Sequence, residues 1–177
     1  MSEQLQNKRH TLAHLLGAAV IELYPHANLT LGPAIDNGFY YDIDFSGGPT
    51  LGDDGLKDVQ KTMKKLLNTW TDFSHREVSA DEARTIYAEN PYKLELINEI
   101  EARGETITLY TVGEGHYEFT DLCRGGHIEN MKDIKEGSFK LDKIAGAYWR
   151  GPHGMSCSVV RGLMRMAFTR LGFGTST

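Results

Sequence analysis

The chain of 177 residues has no long hydrophobic run, only two cysteines and no excess of basic charge. No stretch approaches the ~18 consecutive apolar residues of a membrane-spanning helix, which excludes a helical anchor. The first ten residues, MSEQLQNKRH, lack the charged-then-apolar pattern of a secretory signal, so a cytoplasmic location is expected. Cys123 and Cys157 are too few for a disulfide scaffold. A net charge of −5 excludes a generally basic nucleic-acid coat and leaves room for a local basic site. No internal repeat or low-complexity run is present.

What is there is ordinary in bulk. Apolar residues at 40% and charged residues at 24% place the chain among globular proteins of one domain or two small ones. Charge is uneven along it. Residues 151–177 contain Arg161, Arg165 and Arg170 and no acid, so all 24 acidic residues lie in the first 150. This break at Gly151 divides the sequence into an expected domain over 1–150, with subregions of about 1–70 and 71–150, and an atypical tail over 151–177.

Periodicity predicts a helix over 3–23, with Leu5, Leu12, Leu15, Leu16, Ala19 and Leu23 returning at three- and four-residue steps. Tyr24-Pro25 ends it. Asn37-Gly38 marks a hairpin turn, and a second helix follows at about 54–70. Ser79 and Glu82 form a capping box for a helix over 80–89. Asn90-Pro91 opens another helix, which ends at Gly104. Thr106–Val112 and His116–Leu122 alternate as a hairpin, and Ser138–Trp149 reads as a last strand. The expected fold class is α+β, an antiparallel sheet packed with helices.

Two clusters carry chemistry. His10 and His14 lie four apart on the first helix, about 40° apart around its axis, on one face. Alone, such a pair is more often a solvated polar face. Asp121-Leu-Cys123-Arg-Gly-Gly-His127 follows a strand and reads as a loop, where functional residues collect; the plain alternative is a semi-buried cysteine beside a turn. Together they supply His, His, Cys and His, a donor set suited to tetrahedral zinc. Lys93 sits in the first turn of its helix, against the helix dipole, a small local cost that suits a cation aimed at an anion. A solvent-facing lysine explains it as well. Tyr41, unaided, reads as core.

HTLAHLLGAAVIELYP, LGPAIDNGFYYDIDF, NPYKLELI, FTDLCRGGH and AGAYWRG, in this order, resemble the editing domain of bacterial threonyl-tRNA synthetases. That is their second N-terminal domain, shared in wider form with alanyl-tRNA editing domains. The resemblance covers about residues 8–151. It implies hydrolysis of wrongly charged Ser-tRNA(Thr) in a cleft between the helix with the two histidines and the cysteine-bearing loop. Carried over by position, it places His10, His14, Lys93, Cys123 and His127 in the catalytic machinery and Tyr41 and Asp121 at the substrate. Asp121 would receive the substrate's ammonium group. Beside this carry-over, Arg124 is read as substrate-binding: Arg124 and Lys93 are the nearest candidates for a tRNA phosphate, and a pairing with a local carboxylate explains Arg124 as well. The partner is the 3′ end of tRNA(Thr) carrying a seryl ester, with no membrane, and a full-length synthetase of this family is a homodimer.

In the alanine-specific relatives His10, His14, Cys123 and His127 correspond to zinc ligands. In the threonine enzymes they line a polar pocket with no required cofactor, and that is the reading adopted here, with zinc as the alternative. A zinc-dependent alanyl-tRNA deacylase and a catalytically idle tRNA-binding module are the competing functions. Three departures stand out. The family's RGPH is Arg124-Gly125-Gly126-His127 here, and glycine in place of proline is expected to loosen the loop around His127. The sequence begins almost at the first helix, where the family usually carries a small ubiquitin-like domain ahead of it. GPHGMSCSVVRGLMRMAFTRLGFGTST stands where the family runs on toward its aminoacylation core, so a truncated or frame-altered chain is expected.

Overall fold

The computed structural model describes residues 2–149 and 156–164. The rest of the expected tail, 151–155 and 165–177, lies outside the described residues.

Helix α1 (Glu3–Leu23) is the centre of the molecule. From Thr11 to Val20 every residue is buried, a helix covered on all sides and not a surface helix with one apolar stripe. It packs on α2 (Gly55–Leu67) and on the short strand β2 (Ala34–Ile35) and β3 (Gly38–Asp44). Leu12, Leu15, Leu16 and Ala19 are fully buried as their spacing requires, whereas Leu23 at the end is exposed.

Strand β3 pairs antiparallel with β1 (Asn28–Leu29) and β2 on one edge. On the other edge it pairs with β8 (Ser156–Met164), which also pairs with β7 (Phe139–Tyr148). The sheet order is therefore β1-β3-β8-β7, with β2 beside β3. Strand β8 lies beyond the charge break at Gly151, yet it fills the place between β3 and β7. A second antiparallel sheet has the order β4-β5-β6, from β4 (Ser74–Val78), β5 (Ile107–Val112) and β6 (Phe119–Leu122).

Two helices sit with this second sheet. Ser79 caps α3 (Ala80–Ile86) by accepting from the Glu82 amide, as the capping box predicts. Asn90 caps α4 (Pro91–Ala102), accepting from the amides of Tyr92 and Lys93 at 3.1 Å. The Asn90 side chain also donates to the Leu29 carbonyl, tying the start of α4 to the first sheet. Gly104, at φ +66°, follows the end of α4 as a left-handed glycine.

Several boundaries differ from their expected places; the strand expected from His116 begins at Phe119, behind a 3-10 turn at Gly115–Tyr117. Helix α2 stops at Leu67, and α3 at Ile86. The β2–β3 pairing sets Ile35 opposite Gly38, so Asp36-Asn37 form the two-residue turn and Gly38 begins the strand. The main hydrophobic core runs from Leu12 to Leu141 and crosses residue 70; a smaller cluster of Ala83, Ile97, Ile100 and Ile107 lies under α3 and α4.

Candidate active site

A cleft of about 500 Å³ opens between the start of α1, the β1–β2 connection, α4 and the β6 end. Its walls include His10, His14, Tyr41, Lys93, Asp121, Cys123 and Arg124. Residues separated by more than a hundred positions thus meet in one place. His127 stands just behind the wall, its ring stacked between His10 at 4.4 Å and Phe73 at 3.9 Å.

The histidine side is tightly specified. His10 Nδ1 lies 3.2 Å from the Gly126 carbonyl, which can only accept, so Nδ1 carries the proton and Nε2 the lone pair. That Nε2 lies 3.6 Å from Cys123 Sγ, and His127 Nε2 lies 3.3 Å from the same sulfur. Thr11 Oγ1 accepts from the Ile128 amide at 3.2 Å and meets His127 Nδ1 at 3.3 Å, fixing the second imidazole. His14 is 2% exposed, and its Nδ1 is buried with no hydrogen-bond partner among the described residues. The solvated-face reading of the pair is thereby excluded for His14.

Burial sets the protonation. It lowers His10 below the ordinary histidine value, His14 further, and His127 to about 2, so the rings are neutral at pH 7. It pushes the Cys123 thiol up to about 11, which leaves an un-ionised thiol and not a nucleophile.

The opposite side is ionic. Lys93, 2% exposed, points inward and places Nζ 2.6 Å from Asp121 Oδ1. Asp121 Oδ1 also accepts from the Leu122 amide at 2.8 Å, and Oδ2 accepts from the Tyr41 hydroxyl. Lys93 Nζ lies 3.4 Å from the Tyr41 oxygen, closing a buried Lys–Asp–Tyr triangle. Burial, with the Asp121 charge beside it, raises the Tyr41 phenol well above its ordinary value. Tyr41 is therefore both core and cleft wall. Asp121 already accepts from three donors, Lys93 among them, so an incoming ammonium group competes with Lys93 for the carboxylate. Arg124, at the rim, pairs with Glu105.

The loop that departs from the family's RGPH has a backbone conformation of its own. Gly125 and Gly126 take φ +91° and +82°, a region closed to proline with its φ near −65°. Gly126 thus gives this loop a bend of its own, and its carbonyl holds His10. Gly125 is also required by space, since a Cβ there would stand 2.4 Å from the Tyr110 hydroxyl oxygen.

Residue spacing alone does not reveal Thr11, Phe73, Arg103 or the Gly126 carbonyl. Thr11 lies between the two histidines in sequence but has no motif of its own, and a carbonyl has no residue signature at all.

The donor set fits a metal. One ligand atom from each of His10, His14, Cys123 and His127 lies within 4.8 Å of the others, and the orphaned, buried His14 Nδ1 marks an incompletely satisfied cluster. At ligand distances of about 2.0–2.3 Å the set has only to draw together slightly around a zinc ion.

Fold and site together define a domain of the synthetase editing type. Residues 107–148 match the family model described as the threonyl and alanyl tRNA synthetase second additional domain. The chain is 46% identical over 145 residues to a threonine--tRNA ligase of Thermotoga neapolitana, covering 81% of this chain and 21% of the relative. It is 44% identical over 147 residues to one of Dehalococcoides mccartyi and 40% over 147 to one of Borreliella burgdorferi, in each case covering 83% of this chain and 24% of the relative. The chain therefore belongs with the editing-type second additional domain of threonyl-tRNA synthetases, and it spans under a quarter of the length of these curated relatives. Among the described residues, no helix is long and apolar enough to cross a membrane.

Proposed function

We propose that this domain deacylates mischarged Ser-tRNA(Thr), by attack of water on the ester that joins serine to the terminal ribose. The observation that carries the reading is the meeting, in one cleft, of a neutral imidazole whose Nε2 keeps its lone pair beside the Cys123 thiol and a buried ammonium group. Serine and threonine differ by one methyl group, worth only about 1–3 kcal/mol in a pocket that must admit the larger one. A second site that excludes the larger side chain by size removes the error, and His14, Tyr41 and Cys123 supply close walls here.

In this reading His10 Nε2 takes the proton of the attacking water, with the ring oriented by its Nδ1–H bond to Gly126. The depressed basicity of the ring keeps it in the accepting form at neutral pH. Lys93 meets the negative charge that grows on the ribose oxygen, and Asp121 with Tyr41 holds the ammonium in place. The proton from water leaves with the ribose hydroxyl. If the substrate's ammonium group reaches Asp121, it does so by exchange with Lys93, which turns Nζ toward the ester.

Ester loss from Ser-tRNA(Thr), Thr-tRNA(Thr) and Ala-tRNA(Ala) tests this. Only the first is expected to be hydrolysed rapidly, and His10→Ala to be slower by roughly 10²-fold or more with an unchanged thermal melt. Wild-type rates in both His10→Ala and Lys93→Met would end the assignment. Binding without hydrolysis would point to an idle docking module.

One observation favours a second reading, the four clustered donors with the unsatisfied His14 nitrogen. His10, His14, Cys123 and His127 would hold the ion, which would supply Lewis-acid polarisation of the ester. Stoichiometric zinc in the purified chain, with Ala-tRNA(Ala) activity abolished by chelation, would establish it.

A further inference from the structure

One face of α4 lines the cleft from end to end. Lys93, Leu96, Ile100 and Arg103, at steps of three and four, all stand on its wall, Arg103 being the residue just past the last helical turn. The stripe reads cation, apolar, apolar, cation. Ten residues of helix separate its two cations by roughly 15 Å along the axis. The inner cation is consumed by Asp121, whereas the outer one stands at the rim, its side chain 47% exposed.

Arg103 does not stand alone there. Its Nε donates to Glu105 Oε1 at 2.7 Å, and Arg124, also on the cleft wall, donates to the other oxygen of the same carboxylate. Glu99 approaches Arg103 at 3.8 Å. Neither Glu99 nor Glu105 lines the cleft, so the carboxylates hold the two guanidinium groups from behind. With Lys93 and Asp121 cancelling each other, Arg103 and Arg124 are the remaining charged residues of the lining, in a chain whose net charge is −5. A guanidinium offers five N–H donors, so each retains several after its contacts with glutamate.

We propose that Arg103 and Arg124, clipped together by Glu105, form a phosphate clamp. It takes the phosphodiester on the 5′ side of the terminal adenosine, whose ribose and base lie along Leu96 and Ile100 with the acyl group at the Lys93 end. The placement rests on the tRNA-end reading given above. It assigns a role to Arg103 and gives Arg124 a partner in the same contact. Two planar forks fixed on one carboxylate suit a tetrahedral oxyanion.

Binding of a CCA trinucleotide and of adenosine to the full chain, followed by fluorescence or NMR titration, tests it without requiring catalysis. Arg103→Ala and Arg124→Ala are each expected to weaken the trinucleotide about tenfold and to leave adenosine within twofold. The double variant is expected to cost less than the product of the two, because both grip one phosphate. Losing the contact should also flatten the salt dependence of trinucleotide binding, by about 0.7 in the log–log slope. Arg103→Lys should retain part of the affinity, which a merely structural role would not require. Equal weakening of both probes, no weakening of either, or failure of the wild type to bind the trinucleotide would overturn the clamp. Hydrolysis of Ser-tRNA(Thr), which keeps the phosphate, is scored separately: its absence alone would sink the deacylase reading and leave the clamp standing.

Discussion

Lys93 and Asp121 are 2% and 3% exposed and form a buried ion pair at 2.6 Å. Removing one partner of a buried pair leaves the other uncompensated, at a cost of roughly 3–5 kcal/mol. Asp121→Asn is therefore expected to destabilise the fold by about 3 kcal/mol in urea unfolding, and Lys93→Met/Asp121→Leu to recover most of it. A double variant no more stable than Asp121→Asn would contradict this. Asp42 behaves in the opposite sense. Burial raises its carboxyl to about 6, and its Oδ1 has no partner among the described residues. The folded state then binds a proton more tightly than the unfolded chain, so the folded state gains stability as pH falls from 6 toward 4 and loses it as pH rises through 6. Because Asp42 is only half-buried, solvent screening reduces the effect to about 1 kcal/mol. Asp42→Asn should be more stable than wild type by that amount at pH 8 and equal to it near pH 4; thermal melts at both values decide it.

The elements that hold these residues were readable where the signal was local. Ser79 and Asn90 act through their own side chains on amides within three residues, and both caps stand where spacing puts them. The ends of α2 and α3 were less legible, because frayed termini carry no such chemistry. The histidine pair was visible as a pattern, but its burial was not: whether a polar helix face is covered depends on chain more than a hundred residues away. Close approach is similarly hidden. A Cβ on Gly32 would lie 2.4 Å from Tyr41 Cδ2, and one on Gly17 3.0 Å from Cε2, so the Tyr41 ring lies in a slot between two backbones. Gly32→Ala must push the ring, and with it the hydroxyl on Asp121. The expected outcome is a loss of about 1–3 kcal/mol in stability, with a fall in kcat for the ester larger than any change in KM. Unchanged stability and kcat would show that Tyr41 does not depend on this slot.

At the scale of the molecule, charge and pairing disagree about where the folded unit stops. Composition breaks at Gly151, since acid-free sequence follows it. Hydrogen bonding does not break there, because Ser156–Met164 pair with β3 from Gly38 to Ile43 and with β7 from Phe139 to Tyr148. Composition reports what a segment carries, whereas strand position depends on partners, one of them more than a hundred residues earlier. Without β8 two long strands would each expose a row of unpaired backbone donors and acceptors, β7 losing its partner in the sheet. Tyr41, whose register partner is Val160, would lose the neighbour that fixes its strand under α1. A chain stopped after Gly151 is accordingly expected to lose the sharp thermal transition of the 177-residue chain, to aggregate on gel filtration, and to hydrolyse no ester. A chain stopped after Met164 should keep the transition. If instead the 151-residue chain melts cooperatively at the same temperature and remains monomeric, β8 contributes nothing to the fold, and the site on β3 stands without it.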